Sequence, residues 1–287
     1  MKTYVKSLTL PTEAAEFSFL LGQKMTCYNS SYPFKIFPQK ELAHISFAPV
    51  TILCGSNGCG KTTLLNLVAE LAGVRRYSAF GGGAFFRDYM GLCHLKGQAP
   101  AGSCLLTSDD LFDWLLHLRR ISSGIDEKRE ELLANYTDKK YAHRQLTSLE
   151  DYDDWKQYDD AKRYTKSRFV NERLAKNPDM HSNGESAMHF FVERITEDAL
   201  YLLDEPENSL SVPRQLELRD FLADSARHFG CQIILSTHSP VLLSLPGAEV
   251  WDLDALPAGI RPWTEVAGVR AYYEFFKSHA AAFEPEE

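Results

Sequence analysis

Three short stretches carry residue types whose spacing suits phosphate chemistry. The first is Gly55-Ser-Asn-Gly-Cys-Gly60-Lys61-Thr62, which fits G-x-x-x-x-G-K-[ST]. Gly55, Gly58 and Gly60 let the backbone curl, so that N–H groups of Asn57, Cys59 and their neighbours point inward at phosphate oxygens. A helix starting at Lys61 adds the positive potential of its N-terminus. Lys61 then neutralises β- and γ-phosphate charge, the Thr62 hydroxyl joins a Mg²⁺ shell, and Thr63 closes the set of nucleotide-contacting residues.

The second stretch is Leu200-Tyr-Leu-Leu-Asp204-Glu205. Asp204 leaves a buried strand where it can hold Mg²⁺, directly or through water. Glu205, one residue on, can polarise an attacking water as general base. The third is Ser236-Thr-His238-Ser-Pro240, also after a buried strand. It places His238 at the carboxyl edge of the sheet, where ligands bind in open α/β folds. There a histidine can bond a γ-phosphate and hold the water. Taken alone, Asp-Glu is an ordinary strand end and a single histidine is an ordinary cap. The phosphate loop upstream is what tips both towards catalysis.

These groups need a scaffold. Val50 to Cys54 is a continuous apolar strand, and Lys61 to Ala72 reads as the helix behind the loop. Ala199 to Leu203 and Gln232 to Ser236 suit strands buried on both faces. Pro213 to Phe229 between them has helical spacing at Leu216, Leu218, Phe221 and Leu222. Alternating strands and helices predict a parallel sheet. Residues 1 to about 50, including Phe17-Ser-Phe-Leu-Leu and His44-Ile-Ser-Phe-Ala, read as an antiparallel edge before the main fold. From about Asp109 the chain is charged and poor in strands, with Leu111, Trp114, Leu115 and Leu118 on one helix face. This predicts a helical subdomain inserted into the sheet domain. The expected divisions are 1–108, 109–186, 187–277 and a tail at 278–287.

Composition sets outer limits. Of 287 residues, 44% are hydrophobic and 24% charged, as in ordinary globular domains. The net charge of −8 argues against a wholly nucleic-acid-binding surface. No run approaches a membrane span and no signal-peptide core is present, so a cytoplasmic protein without an integral membrane segment is expected. The six cysteines show no C-x-x-C pair or zinc spacing. Cys59, inside the phosphate loop, is either a small residue that fits or a thiol of lowered pKa.

Together the phosphate loop, Leu202-Leu-Asp-Glu-Pro206 and Thr237-His238-Ser resemble the ATP-binding-cassette superfamily over roughly residues 40 to 255. The resemblance implies an α/β P-loop NTPase fold, an ABC-type ATPase head that binds ATP with Mg²⁺ and hydrolyses it. His181-Ser182-Asn183-Gly184-Glu185-Ser186 resembles that family's signature loop at Ser182 and Gly184, and departs from it at Asn183 and Glu185. Such a loop binds the γ-phosphate held by the opposite subunit, so the resemblance implies a homodimer on ATP binding. Asn208-Ser-Leu-Ser211 falls where the family's D-loop crosses the dimer axis.

Two family features lack an obvious residue here. No glutamine stands at Leu105-Leu-Thr-Ser108-Asp109, where Ser108 or Asp109 either substitutes for it or caps the next helix; the cap is the expectation. An adenine-stacking ring falls on Tyr28, Tyr32 or Phe34, which serve equally as packing. Within the family the chain looks most like SMC/RecF-type and small stand-alone bacterial ATPases. Phe190-Phe191 and Ser239-Pro-Val-Leu-Leu before Pro246-Gly-Ala carry that likeness. It implies a switch in DNA maintenance or anti-phage defence beside a nuclease or toxin effector. The alternative is the energy-coupling ATPase subunit of a membrane transporter. Lys162, Lys166, Arg173 and Lys176 fall within about an 80° arc of a continuous helix, a candidate nucleic-acid stripe or a solvated face.

Overall fold

Val50–Cys54 (β3) is buried at every position, as its unbroken apolar run requires. The computed structural model that shows this describes residues 1–23, 30–78, 80–118, 120, 128 and 183–283, the first three residues of the last span by backbone alone. Two compact units divide the chain: residues 1–112 with 183–287, and residues 113–182. The first unit carries both sheets and the phosphate loop.

β3 is central in a seven-stranded sheet. Its neighbours are Gln232–Ser236 (β8) on one side and Glu249–Asp252 (β9) on the other, both parallel. Beyond β8 lie Leu200–Asp204 (β7), Cys104–Thr107 (β6) and Arg75–Arg76 (β4), also parallel. Gly259–Ile260 (β10) closes the other edge antiparallel to β9. Parallel order puts the carboxyl ends of β3, β6, β7, β8 and β9 on one edge. The register aligns Asp204 with Ser236, Leu53 with Ser236, and Cys54 with Asp252.

Helices cover this sheet. Lys61–Ala72 (α2) starts at Gly60 and stops at left-handed Gly73, whose N–H bonds back to Ala69 and Glu70. Val212–His228 (α6) buries Leu218 and Leu222, whereas Leu216 points outward at 39% exposure. Helical residues 108–118 (α4) begin three positions before Leu111. Neither Ser108 nor Asp109 caps them. Thr107 does so in a capping box with Asp110: Asp110 N–H donates to Thr107 Oγ1 at 3.2 Å, and Thr107 N–H to Asp110 Oδ2 at 2.9 Å. Asn183–Arg194 (α5) buries both Phe190 and Phe191.

The N-terminal region departs from an all-β reading. Val5–Thr9 (β1), His44–Ser46 (β2) and His94–Gly97 (β5) do form an antiparallel three-stranded sheet. Phe17 to Leu21, however, lies in the helix Glu13–Leu21 (α1). Thr12 starts it, with its side chain accepting from Ala15 N–H at 3.3 Å. The two sheets are joined by buried Gln232. Its Oε1 accepts from Tyr4 and Val5 N–H at 2.8 and 2.9 Å, and its Nε2 donates to Val5 and Ala48 carbonyls at 2.8 and 3.1 Å.

The remaining helices are Phe86–Leu92 (α3), Pro240–Leu243 (α7) and Ala267–Ser278 (α8). In α8 Val269 is buried, while Tyr272, Tyr273, Phe275 and Phe276 are each about half exposed.

Candidate functional site

The loop from β3 to α2 takes positive φ at Gly55 (140°), Gly58 (79°) and Gly60 (107°). It therefore curls as the glycine spacing predicts. Lys61 is 4% exposed, and its Nζ donates to Gly55 and Ser56 carbonyls at 3.1 and 3.2 Å. The same Nζ lies 2.8 Å from His238 Nε2. That nitrogen is 3.3 Å from Glu205 Oε1. His238 thus has an ammonium and a carboxylate at one ring nitrogen.

Thr62 and Asp204 meet beside this row, with Thr62 Oγ1 donating to Asp204 Oδ1 at 3.1 Å. Ser236 Oγ donates to the same oxygen at 2.5 Å. Burial pushes the Asp204 carboxyl above the usual carboxylate range, and nearby Glu205 adds to this. The bonds from Ser236 and Thr62, and the charge of Lys61, oppose it. Glu205 sits at φ 49°, left-handed for a non-glycine residue. Its N–H bonds to Ser236 O at 3.1 Å and to Ser236 Oγ at 3.2 Å, which holds the strained turn in place.

Residues far apart in sequence thus converge at the carboxyl edge: Lys61, His238 and Glu205 in one row, with the hydrogen-bonded pair Thr62–Asp204 beside it. A part-buried carboxylate beside a hydroxyl is a hard-oxygen pair of the kind Mg²⁺ takes while keeping waters and phosphate oxygens. Among the described residues no group of three or more His, Cys, Asp or Glu side chains could hold a metal by itself.

Other expected residues fall differently. Cys59 is 4% exposed, and burial pushes its thiol up despite the opposing charge of Lys61. The reactive-thiol alternative is therefore overturned in favour of a small residue that fits. Phe34 is buried, stacked on Phe19 with ring centroids 4.9 Å apart, and so is not free to stack on a base. Tyr32 is half-buried with its hydroxyl 3.1 Å from Thr63 Oγ1. Gly184 lies in the first turn of α5. Ser182, Tyr28 and the basic stripe Lys162, Lys166, Arg173 and Lys176 lie outside the described residues.

Two side chains were not anticipated from sequence. Asp254, after β9, braces the phosphate loop: Ser56 N–H donates to its Oδ2 at 2.5 Å and Ser56 Oγ to its Oδ1 at 2.9 Å. Glu207 Oε1 accepts from Thr237 Oγ1 and His238 N–H, both at 2.7 Å, and from Ser239 N–H at 3.3 Å. A cavity of about 230 Å³ separates Gly55, Ser56 and His238 from Val266 and Gly268. A groove of about 750 Å³ runs from Glu207, Asn208 and His238 to Tyr272, Tyr273 and Phe276 of α8.

The parallel sheet, the curled loop and the acidic strand end define a P-loop NTPase fold. A family model described as "AAA domain, putative AbiEii toxin, Type IV TA system" matches residues 113–244, a span containing Asp204, Glu205 and His238. The match spans less than half of the chain and makes that segment similar to AAA-domain proteins of the P-loop type. Among solved structures it is similar to one described as "An inward-facing conformation of a putative metal-chelate type ABC transporter". That likeness is loose: 14% identity and a TM-score of 0.39, over 81% of this chain and 82% of the other. No curated protein matches the chain. Among the described residues no helix is long and apolar enough to cross a membrane.

Proposed function

We propose that the chain binds ATP with Mg²⁺ and hydrolyses it, acting as a dimeric switch in DNA maintenance or anti-phage defence beside a partner effector. The observation that carries hydrolysis is the row Lys61–His238–Glu205, with 2.8 and 3.3 Å steps, set beside the Thr62–Asp204 pair. When bound, Mg²⁺ supplies charge neutralisation for the phosphates, and Thr62 and Asp204 are the residues that would hold it. Lys61 exchanges its loop carbonyls for β- and γ-phosphate oxygens, and the loop amides from Asn57 to Thr63 surround the phosphate chain. Glu205 takes a proton from the attacking water, and His238 holds the γ-phosphate side.

The remainder of the reading rests on other supports. Resemblance of the segment from Ser182 to Gly184 to a signature loop supports a second copy closing over each nucleotide. The matched family description names a toxin and a toxin–antitoxin system, which supports a defence setting with an effector.

Glu205→Gln tests the reading. The variant should keep ATP binding and lose turnover by roughly 100-fold or more. It should also accumulate as an ATP-dependent dimer in light scattering. Unchanged phosphate release would sink the role of Glu205, and an inactive variant that stays monomeric with ATP would sink the sandwich.

A further inference from the structure

The 3-10 turn Pro206–Ser209 grips both reacting arms of the site. On one side Asn208 Nδ2 donates to Glu205 Oε2 at 3.1 Å. On the other, one oxygen of Glu207 accepts from Thr237, His238 and Ser239. These are the three residues that follow β8 and carry the histidine. Thr237 is fully buried, and Ser239 Oγ accepts from Val241 and Leu242 N–H at the start of α7. The circuit closes where His238 Nε2 meets Glu205 Oε1.

Regular structure does not explain this anchoring. β8 ends at Ser236, so the amide of His238 has no ladder partner and takes the carboxylate instead, while that of Ser239 is shared between the carboxylate and Thr237 Oγ1 at 3.0 Å. A charged acceptor gives a bond about twice as strong as a neutral one. The other oxygen, Glu207 Oε2, is buried without a hydrogen-bond partner. A carboxylate placed only to solubilise a turn would not be shut away from water in this manner.

We propose that Glu207 is the positioning residue of this site: it fixes the backbone that aims His238, while the same turn aims Glu205 through Asn208. The inference rests on the hydrolytic reading above and adds to it a mechanical link. The turn 206–209 cannot shift without moving the water-polarising carboxylate and the phosphate-sensing histidine together. Because the turn borders the groove lined by Tyr272, Tyr273 and Phe276, its displacement is open to control from that side.

Two measurements on the full chain test this. Hydrogen exchange on the nucleotide-free protein compares wild type with Glu207→Ala. The amide of His238 should exchange about tenfold faster or more, while those inside β8 hold their protection. Unchanged exchange at 238 would overturn the clamp whatever the enzyme does.

Steady-state ATP hydrolysis then asks whether the clamp serves catalysis. Glu207→Ala should lower kcat by about 100-fold, the scale expected when a reacting group is misplaced by about 1 Å. KM should stay within about threefold. Glu207→Gln, whose amide oxygen can still accept, should recover most of the loss. Added to His238→Ala, the Glu207→Ala change should cost nothing further, because both remove the same function. Additive losses, or a Gln variant as poor as Ala with intact melting temperature, would overturn the role. A wild-type protein that does not turn over ATP would instead sink the hydrolytic reading, with hydrogen exchange still deciding the clamp.

Discussion

A Cβ added at Gly60 would stand 2.9 Å from Phe37 Cε1 and 3.0 Å from Ile36 Cγ2, at a φ of 107° that side chains rarely adopt. Phe37 is fully buried and has no room to yield. Gly60→Ala is expected to destabilise the protein by roughly 1–3 kcal/mol. It should also remove the rise in melting temperature that Mg²⁺-ATP gives the wild type, as read by thermal shift with and without nucleotide. Retention of that rise would show that the loop tolerates another curl. At this scale the site was legible where its chemistry is written contiguously, as in Gly55 to Thr62 and Asp204-Glu205. Glu207 and Asp254 were not legible as contacts, because each acts on backbone brought near only by the sheet. Leu-Asp-Glu-Pro-Glu207 was visible as a run, but nothing local says that its last residue faces His238. Cys59 was ambiguous for a related reason: the burial that decides its pKa is a property of the folded loop.

Strands buried on both faces leave an unbroken apolar signature, and β3 and β8 occupy Val50–Cys54 and Gln232–Ser236 as expected. Helix α1 leaves none. Phe17-Ser-Phe-Leu-Leu suits either period, and only Phe19 and Leu20 of the run pack against the core, while Phe17 and Leu21 are exposed at 63% and 72%. What settles α1 is its cap at Thr12 and an anchor of opposite character. Glu16 is 2% exposed, with Lys35 N–H donating to it at 2.6 Å and Tyr89 Oη at 3.1 Å.

Burial raises the Glu16 carboxyl above its ordinary value, more than these two bonds lower it. The folded protein therefore holds this proton more tightly than the unfolded chain. Stability from this group is full below the unfolded value and falls as pH rises through the folded one. Glu16→Gln keeps an acceptor for Lys35 without the buried charge. Its melting temperature relative to wild type should climb as pH rises above about 4. A difference that does not change with pH would show that the carboxyl is not perturbed by burial.

At the scale of the whole fold, two sheets with different strand directions must stay in register, and Gln232 is their joint. Gln232→Ala would remove four hydrogen bonds: buried ones to the Val5 N–H and carbonyl, and part-buried ones to the Tyr4 N–H and to the Ala48 carbonyl, which also accepts from Thr51 Oγ1. At about 1 kcal/mol for each lost bond, the loss should reach roughly 4 kcal/mol. Urea denaturation would measure it, and a loss below about 1 kcal/mol would mean that water replaces the side chain. Sequence alone offered only a polar first residue in an apolar strand.

The position of β3 also sets a timetable. Val50 pairs with Ile233 and Thr51 with Glu249, so the strand that launches the phosphate loop finds both its neighbours near the far end of the chain. During synthesis at about 5–20 residues per second, the wait from Cys54 to Asp252 is roughly 10–40 s. Through that interval Val50-Thr-Ile-Leu-Cys54 is an apolar β-forming segment with two unsatisfied edges. It is the stretch most exposed to wrong pairing between nascent chains on one message. The loop cannot be braced by Asp254 until that residue has left the ribosome, so a nascent chain becomes competent to hold phosphate only late, after nearly all of its sheet has been made.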